Sequence, residues 1–408
     1  MIEREKLHHC TLLLLILTIL AISVSPVLAA DSGNNATAAN GDLKDLLPLK
    51  GISPSDNQTQ SSSEMAPCLM QQLAGSPSSN PNVPHSLDPV NLETGNYVYQ
   101  HQDLASPGPG SSLAVTRTYN SLCVIAGPFG PGWTFNYSVR LAGLPGSNDL
   151  LVMWEDGHTD LYNVSSDGTY SPPLGVSDSL TRNTDGTYTV ARDDHMTYQF
   201  TATGQLTSIA DNNGNTINLT YTGSNLTHVT DSSGRELTFT DNAAGEIIAI
   251  TDPSGVTMSY TYDGNDNLVR FSNATGAEFD YTYDDNHRMT SVTSPDGIRV
   301  LNNTYDESGR VIRQSWPPAN VNTIDYAANN HMTTLTDPSG SKTVYTYDDN
   351  GWELSETDDI GNTISYAYDA NGNRIDTTDR IGNFIRSACN VVGKIFIRSL
   401  FGGVPAQS

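Results

Sequence analysis

The sequence predicts an all-β protein made of stacked β-hairpin repeats, preceded by a smaller β-rich domain. Three features of the 408 residues support this fold class. Tyrosines recur about every 21 residues, glycines keep the same spacing, and Asp-x-x-Gly turn signals separate segments in which large residues alternate with small ones. A fixed period of this length indicates a repeat architecture.

The repeat period is carried by tyrosine and glycine together. Successive tyrosines are 21, 22, 21, 21 and 21 residues apart, at Tyr262, Tyr283, Tyr305, Tyr326, Tyr347 and Tyr368. Glycines follow the same period and miss only the slot near Pro318, at Gly214, Gly234, Gly255, Gly276, Gly297, Gly340, Gly361 and Gly382. Further glycines at half the period indicate that each half-unit is one strand and one turn.

The turns have a recognisable chemistry. Asp252 to Gly255 and Asp337 to Gly340 read Asp-Pro-Ser-Gly, which is the preferred assignment of a type I turn followed by glycine. The Asp-x-x-Gly frame recurs without proline at 306–309, 348–351, 369–372 and 379–382.

Between turns the pattern is that of a strand with one buried face. Large residues occupy every second position, as in Met258-Tyr260-Tyr262, Phe279-Tyr281-Tyr283, Thr343-Tyr345-Tyr347 and Ile364-Tyr366-Tyr368. The positions between them are mostly small or polar: Ser259, Thr261, Thr282, Thr346 and Ser365. A lone hairpin buries little surface, so we expect each unit to be stabilised by stacking its tyrosine face on the next unit.

The N-terminal segment predicts export. Arg4 and Lys6 precede an apolar run that ends before small residues, so 1–29 reads as a signal peptide cut near Ala29, with a retained anchor as the alternative. Residues 30–84 are rich in Ser, Asn and Pro and predict a disordered linker.

The formal net charge of -25 argues against nucleic acid and anionic membranes as partners. Cys68, Cys123 and Cys389 define no disulfide framework or metal cluster, although one pair could form after export. Eight glycosylation sequons are compatible with a secreted glycoprotein, at Asn35, Asn57, Asn136, Asn163, Asn218, Asn225, Asn273 and Asn302.

The segment Tyr366-Ala-Tyr-Asp-Ala-Asn-Gly-Asn-Arg-Ile375 resembles the YD repeat of the Rhs and teneurin family, and 305–311 repeats its frame. The segments 88–97, 127–133 and 155–157 resemble the domain that precedes these repeats in secreted and toxin-bearing members. The resemblance covers about 87–395. It implies a spiralling curved sheet, an open or partial shell, with an N-terminal β domain at 85–197, repeats at 198–395 and a tail at 396–408.

The resemblance also implies two roles. In toxin-bearing relatives the shell encloses a C-terminal effector, and in adhesive relatives it is an extracellular scaffold. This sequence departs from the family at Cys389 and Asn390, where the next Tyr-Asp would fall, and no closing segment or effector is recognisable before Ser408. Full closure of a shell is therefore not expected, and the chain reads as a short member or a remnant of a longer gene.

No catalytic, cofactor-binding or metal-ligating residue is predicted. Paired carboxylates could do glycosidase work, and Asp284-Asp285, Asp348-Asp349 and Asp358-Asp359 could gather calcium, but solvated turns explain them. Trp133 could be a sugar platform, although a packed core residue is favoured. No pair of histidines has metal-ligand spacing among His85, His101, His158, His195, His228, His287 and His331.

These observations favour a non-catalytic scaffold, secreted or at the cell surface, that binds a glycan or another surface protein. The first alternative is the shell fragment of an Rhs-type toxin whose effector is missing. The second is a secreted hydrolase. The ligand and the oligomeric state are not predicted.

Overall fold

The computed structural model describes residues 83–86, 89–108, 112–144, 147–327, 331–389 and 395–399, with side chains up to residue 384. The predicted signal peptide and most of the predicted linker and tail lie outside these residues. All regular elements in the described part are β-strands, which confirms the all-β prediction.

The first compact unit of the described part is a β module, here defined as residues 89–164. Three of its strands form one antiparallel sheet in the order β1-β2-β5, namely β1 (Val98–Ser106), β2 (Leu113–Asn120) and β5 (Trp133–Phe135). Between them lies a short ribbon of β3 (Ala126–Gly127) and β4 (Gly130–Pro131). A meander follows, of β6 (Arg140–Gly143), β7 (Leu150–Met153), β8 (Thr159–Val164) and β9 (Tyr170–Ser171).

The repeats form one antiparallel sheet of 22 strands in strict chain order, here called the repeat sheet. Its first eleven strands are β10 (Ser179–Arg182), β11 (Tyr188–Ala191), β12 (Thr197–Phe200), β13 (Leu206–Ala210), β14 (Thr216–Thr222), β15 (Asn225–Asp231), β16 (Glu236–Asp241), β17 (Ile247–Thr251), β18 (Thr257–Tyr262), β19 (Leu268–Ser272) and β20 (Glu278–Tyr283). The other eleven are β21 (Met289–Thr293), β22 (Arg299–Tyr305), β23 (Val311–Trp316), β24 (Asn320–Tyr326), β25 (Met332–Thr336), β26 (Lys342–Tyr347), β27 (Glu353–Thr357), β28 (Thr363–Tyr368), β29 (Arg374–Thr378), β30 (Phe384–Cys389) and β31 (Ile395–Ser399).

The repeat sheet starts at Ser179, ahead of the boundary at residue 198 expected from the family resemblance. One of its early turns has His195 with φ 68° where most turns have glycine; Asp266 and His287 take the same place in two later turns. The missing glycine hides this turn from a search for glycine spacing, because histidine can adopt the left-handed conformation only at some cost.

The Asp-x-x-Gly segments fold as predicted. In the turn at 252–255 the Gly255 amide donates to the Asp252 carbonyl at 3.0 Å, and Gly255 has φ +88°. The Asp252 carboxylate accepts the amides of Ser254 and Val256 at 2.8 and 2.9 Å. This is a type I turn closed by a left-handed glycine, a common three-residue hairpin loop.

Tyrosine hydroxyls connect the two strands of a hairpin at its open end. Tyr262 donates to the carbonyl of Ile247, fifteen residues earlier, at 2.6 Å. The same fifteen-residue reach recurs in three further pairs, Tyr283 to Leu268, Tyr326 to Val311 and Tyr368 to Glu353, each at 2.8 Å. These bonds close the open end of each hairpin, and the predicted array of hairpins is confirmed by their order in one continuous sheet.

The repeat sheet curls around one side, here called the inner face, which carries the alternating large residues. Met258 and Tyr260 on this face are 1% and 4% exposed, while Ser259 between them is exposed. Eighteen strand intervals separate β10 from β28, which would be ~86 Å in a flat sheet at ~4.8 Å per strand. Yet a Cβ added at Gly175 would lie 3.5 Å from the Asn371 carbonyl oxygen. The sheet therefore returns close to its own beginning.

Candidate functional site

The inner face of the repeat sheet is concave, and the N-terminal β module covers the first part of it. Residues of both parts form a single buried cluster that runs from Val90 to Ile324. The place where this cover ends decides which part of the inner face is accessible to a ligand.

A buried ion pair lies at the centre of this interface. Arg117 Nε lies 2.5 Å from Asp103 Oδ2, and its Nη2 lies 2.8 Å from Oδ1. The pairing of β1 with β2 shifts register between Gln102 and Leu104, which makes Asp103 the extra residue of a β-bulge. Bulges re-aim a side chain relative to a regular strand, and this one brings the Asp103 carboxylate onto Arg117.

The repeat sheet supplies the other half of this centre. Tyr260 donates its hydroxyl to Asp103 Oδ2 at 2.7 Å, and Arg117 Nη2 lies 3.4 Å from the Tyr281 hydroxyl. The guanidinium is enclosed by aromatic rings, with Cζ 4.6 to 5.8 Å from the centroids of Phe129, Trp133, Tyr260, Phe271 and Tyr281. Cations interact favourably with ring faces at such distances.

Both charges persist despite complete burial. Burial disfavours the charged form of Arg117, but the Asp103 carboxylate outweighs it and raises the pKa of the guanidinium. Burial likewise opposes the charge on Asp103, yet Arg117 and His101 hold the pKa of that carboxyl below its usual value. Neither side chain is accessible to solvent. The pair therefore fixes the module to the sheet and is not placed to meet a ligand.

Trp133 belongs to the same interface. It is 1% exposed, and its Nε1 donates to the Tyr283 hydroxyl at 3.0 Å. The preferred interpretation of Trp133 as a packed core residue is confirmed, and a sugar-stacking role for it is excluded by burial. Nearby, the Tyr119 hydroxyl accepts the Met289 amide and donates to the His287 carbonyl, both at 2.8 Å.

The module is also tied to the sheet along its edges. Carbonyls of the module segment accept hydrogen bonds from the sheet at four places: Pro107 from Arg235 at 2.7 Å, Pro128 from Ile247 at 2.8 Å, Gly95 from Val311 at 3.0 Å and Leu92 from Thr333 at 2.6 Å. These contacts reach from β16 to β25. The cover therefore ends near Thr333, with Glu93 reaching the next turn at Gly351.

His158 lies in a second polar cluster, inside the module. Its ring contacts Asp156 and Asp160, and it stacks on Trp154 with centroids 5.9 Å apart. Burial alone would lower the pKa of His158, but the two carboxylates raise it to about 9. Trp154 donates its Nε1 to Asp160 at 2.6 Å. The histidine is thus held as a cation, which suits a structural ion pair better than a proton-transfer role at neutral pH.

The acidic pairs considered for calcium are parts of turns. The first carboxylate of each pair accepts backbone amides, from Arg288 to Asp284, from Trp352 to Asp348 and from Asn362 to Asp358. The second member of each pair is exposed. Across the described ranges, no three His, Cys, Asp or Glu side chains are placed to hold a metal ion.

Cys123 is disulfide-bonded. The side chains of the other cysteines lie outside the described part. The structure therefore supports a disulfide at Cys123 but does not test whether one thiol remains free. Cys123 also lines a small cleft of about 50 Å³ at the edge of the module, together with Asn120, Ile125 and Arg140. None of the described residues forms a helix with the length and hydropathy to cross a bilayer.

Beyond the cover, the inner face changes character. Tyr345 and Tyr366 are half-buried, in contrast to Tyr281, which holds the same place in its unit and is 2% exposed under the module. Charged residues join them, with Glu353 opposite Tyr347 and Glu356 opposite Tyr345 across β26 and β27, and Arg374 opposite Tyr368. This surface, on β26 to β29, is here called the open face. It is the candidate binding site.

Sequence reasoning missed the charged residues of the open face. A signal was present in the turns whose aspartate follows a tyrosine. The fifth residue after that aspartate is apolar at Leu268, Met289 and Val311, whereas it is Glu353 and then Arg374 in the last units. Arg117 gave a similar signal, because a charge stands between Val115 and Tyr119 in an alternating apolar pattern, whereas Asp103 gave none.

A docked β module on a curled sheet of tyrosine-linked hairpins defines an all-β repeat protein with a shell-like sheet. Three family models match the chain: a domain of unknown function, DUF6531, at 87–162, the teneurin YD-shell at 176–334, and the RHS repeat at 326–359 and 347–382. The chain belongs to the YD/Rhs repeat proteins.

Curated relatives share part of the chain. The tRNA nuclease WapA of Bacillus subtilis strain 168 is 32% identical over 136 residues, which is 33% of this chain and 6% of WapA. The tRNA3(Ser)-specific nuclease WapA of Bacillus spizizenii matches with the same identity and coverage. The match thus spans only a small fraction of the length of these relatives.

Solved structures with a partial likeness include TcdB2-TccC3, with a TM-score of 0.35, 10% identity, and coverage of 81% of this chain and 24% of that chain. The Photorhabdus luminescens Tc holotoxin pore has a TM-score of 0.33 and 14% identity, and covers 65% of this chain and 18% of that chain.

Proposed function

We propose that this protein is a non-catalytic scaffold, secreted or at the cell surface, that binds a glycan or a surface protein through its open face. One observation carries the proposal, namely that the aromatic inner face continues past the end of its cover. Tyr345 and Tyr366 stay half-buried there, whereas Tyr260 and Tyr281 under the module are 4% and 2% exposed. Partly exposed aromatic rings beside charged groups are typical of recognition surfaces.

The N-terminal module favours binding over enclosure. Its side chains occupy the inner face from Tyr198, which contacts Trp154 with ring centroids 5.5 Å apart, to Thr333. Much of the space that a cargo would fill is therefore taken by the chain itself. The remaining open face is suited to a small ligand or a protruding segment of a partner.

The leading experiment applies the purified chain to a glycan panel and to intact cells. Retention on either supports the proposal, and absence of retention on both removes its support. The net charge of -25 predicts no retention on nucleic acid or on anionic vesicles, because like charges repel. Those two surfaces serve as negative controls in the same assay.

A second candidate is the shell fragment of an Rhs-type toxin. The partial likeness to the nucleases named WapA supports it. Under this alternative, the reading frame downstream of Ser408 encodes more YD units and a variable effector. A terminator without such a remnant counts against it.

A secreted hydrolase is the third candidate and the weakest. Many carboxylates of the repeats lie in turns, where they accept backbone amides, as Asp337 does from Ser339 and Ser341. Assays of the chain against common polysaccharides and peptides test this candidate, and turnover of any of them would replace the scaffold proposal.

A further inference from the structure

Two charged side chains interrupt the apolar lining of the inner face. In the turns whose aspartate directly follows a tyrosine, the fifth residue after the aspartate lies at the start of a strand, opposite that tyrosine. Under the module this position holds Leu268, Met289 and Val311, all 0% exposed. In the open face it holds Glu353 and Arg374, on β27 and β29.

These positions contain buried polar atoms without partners. Glu353 is 6% exposed and Tyr347 opposite it is 3% exposed. Glu353 Oε1, the Tyr347 hydroxyl and Arg374 Nε are each buried and have no hydrogen bond of good geometry among the described residues. Thr333 lies near the Tyr347 hydroxyl and Tyr368 lies near the Arg374 guanidinium, but neither contact satisfies these atoms with good geometry. An unmet buried donor or acceptor costs about 1–3 kcal/mol, so three in one neighbourhood require an explanation.

Glu353 and Arg374 do not form an ion pair with each other. Among the ion pairs of the described residues none joins Glu353 to Arg374, although each influences the other electrostatically. Glu353 offers an acceptor, Arg374 offers a donor, and the Tyr347 hydroxyl can do either. A group that both donates and accepts at one atom, such as an alcohol, would satisfy this set.

The walls of the site are aromatic. The Arg374 guanidinium lies over Tyr366, with Cζ 4.3 Å from the ring centroid. Trp352 and Tyr368 face each other with centroids 5.4 Å apart, and Trp352 lies directly on Gly372, where an added Cβ would be 2.7 Å from Cζ2. These rings are half-buried, so the site has a buried floor and an accessible rim.

We propose that Glu353, Arg374 and Tyr347 form a subsite for a neutral saccharide, with Trp352, Tyr366 and Tyr368 as its aromatic wall. This proposal rests on the scaffold function above and assigns its ligand. Sugar hydroxyls donate to a carboxylate and accept from a guanidinium, and the C–H face of a sugar ring packs against aromatic rings. A neutral sugar is favoured over an acidic one because the chain carries a net charge of -25.

The sequence itself suggests the test variants. Leucine fits at the same position in an earlier unit, as Leu268, so Glu353→Leu and Arg374→Leu remove the polar atoms while keeping the fold. Glu307→Gln changes an exposed turn carboxylate outside the site and serves as the matched control. Far-UV circular dichroism and urea midpoints establish that all three variants are folded.

The experiment uses the full chain with neutral oligosaccharides of glucose, N-acetylglucosamine, mannose and galactose on an array, followed by calorimetry with the best ligand. We expect E353L and R374L to weaken binding at least tenfold and E307Q to leave it unchanged. Unchanged affinity in a folded E353L variant overturns the subsite and leaves the scaffold function standing. Retention on cells without retention on any saccharide also overturns it, because the partner is then a protein. Absence of retention on both the saccharides and the cells refutes the proposed scaffold function itself.

Discussion

The guanidinium of Arg310 lies over the ring of Tyr326, with Cζ 4.5 Å from the ring centroid, and joins one repeat unit to the next. Arg310 is the fourth residue after a turn aspartate, and Tyr326 closes the following hairpin. Arg288 lies in the same way over Tyr305 at 4.9 Å. Each unit is thus held by its nearest neighbour, as expected for a linear repeat array.

Replacing Tyr326 by phenylalanine tests the hydroxyl link between the two strands of a hairpin. The variant keeps the ring but removes the donor to the Val311 carbonyl, so we expect a loss of about 1 kcal/mol in the free energy of unfolding. The measurement is the urea midpoint. Tyr366→Phe is the control, since the Tyr366 hydroxyl has no hydrogen bond to any of the described residues, and its effect should stay within about 0.5 kcal/mol. Equal losses in both variants would contradict the link.

Alanine substitutions at two turn glycines distinguish the cost of backbone strain from the cost of poor packing. Gly340 has φ +88° and Gly264 does not have a positive φ, and an added Cβ would meet nothing within 4 Å at either site. Gly340→Ala should therefore lose about 1–2 kcal/mol from left-handed strain alone. Gly264→Ala should be neutral or slightly stabilising, since it only restricts the unfolded chain. Thermal unfolding of both variants checks the contrast, and an unchanged melting temperature in G340A would refute it.

Much of the repeat sheet was predictable from sequence patterns that act within a few residues. Turns such as 252–255 and the alternation of Met258 with Tyr260 follow from residue type and period two, which act within a few residues. The curved sheet was expected from the family resemblance, but local patterns did not predict how closely Asn371 returns to Gly175, because the curvature sums small twists over many strands. The docking of the module was missed for a related reason. It depends on a bulge at Asp103 that sequence periodicity does not reveal.

The buried pair of Arg117 and Asp103 should be far more sensitive to mutation than an exposed pair. Arg117→Met leaves the Asp103 carboxylate buried and uncompensated, so we expect a loss of about 3–5 kcal/mol. Adding Asp103→Asn should recover part of the loss, because no isolated charge remains.

The matched control for this pair is Arg270→Met, which breaks an ion pair with Asp280 whose side chains are both 43% exposed. Its expected effect on stability is much smaller than that of Arg117→Met, because solvent screens an exposed ion pair. Limited proteolysis under native conditions reports whether the module separates from the sheet. Cleavage of the module in R117M at the wild-type rate would show that the pair does not hold the interface.

Glu353 should make the stability of the repeat sheet dependent on pH. Burial raises its pKa from 4.5 to about 7 in the folded protein, so the folded state retains a proton that the unfolded state has lost between these values. Stability therefore falls as pH rises from about 4.5 to about 7 and is level above that range. The shift of about 2.5 units sets a ceiling of ~3 kcal/mol, at 1.36 kcal/mol per unit. Glu353→Leu should thus be more stable than the wild type at pH 8, with a smaller difference at pH 4.5. Urea midpoints across this range check the difference, with E307Q following the wild-type curve, and a pH-independent gap would contradict the raised pKa.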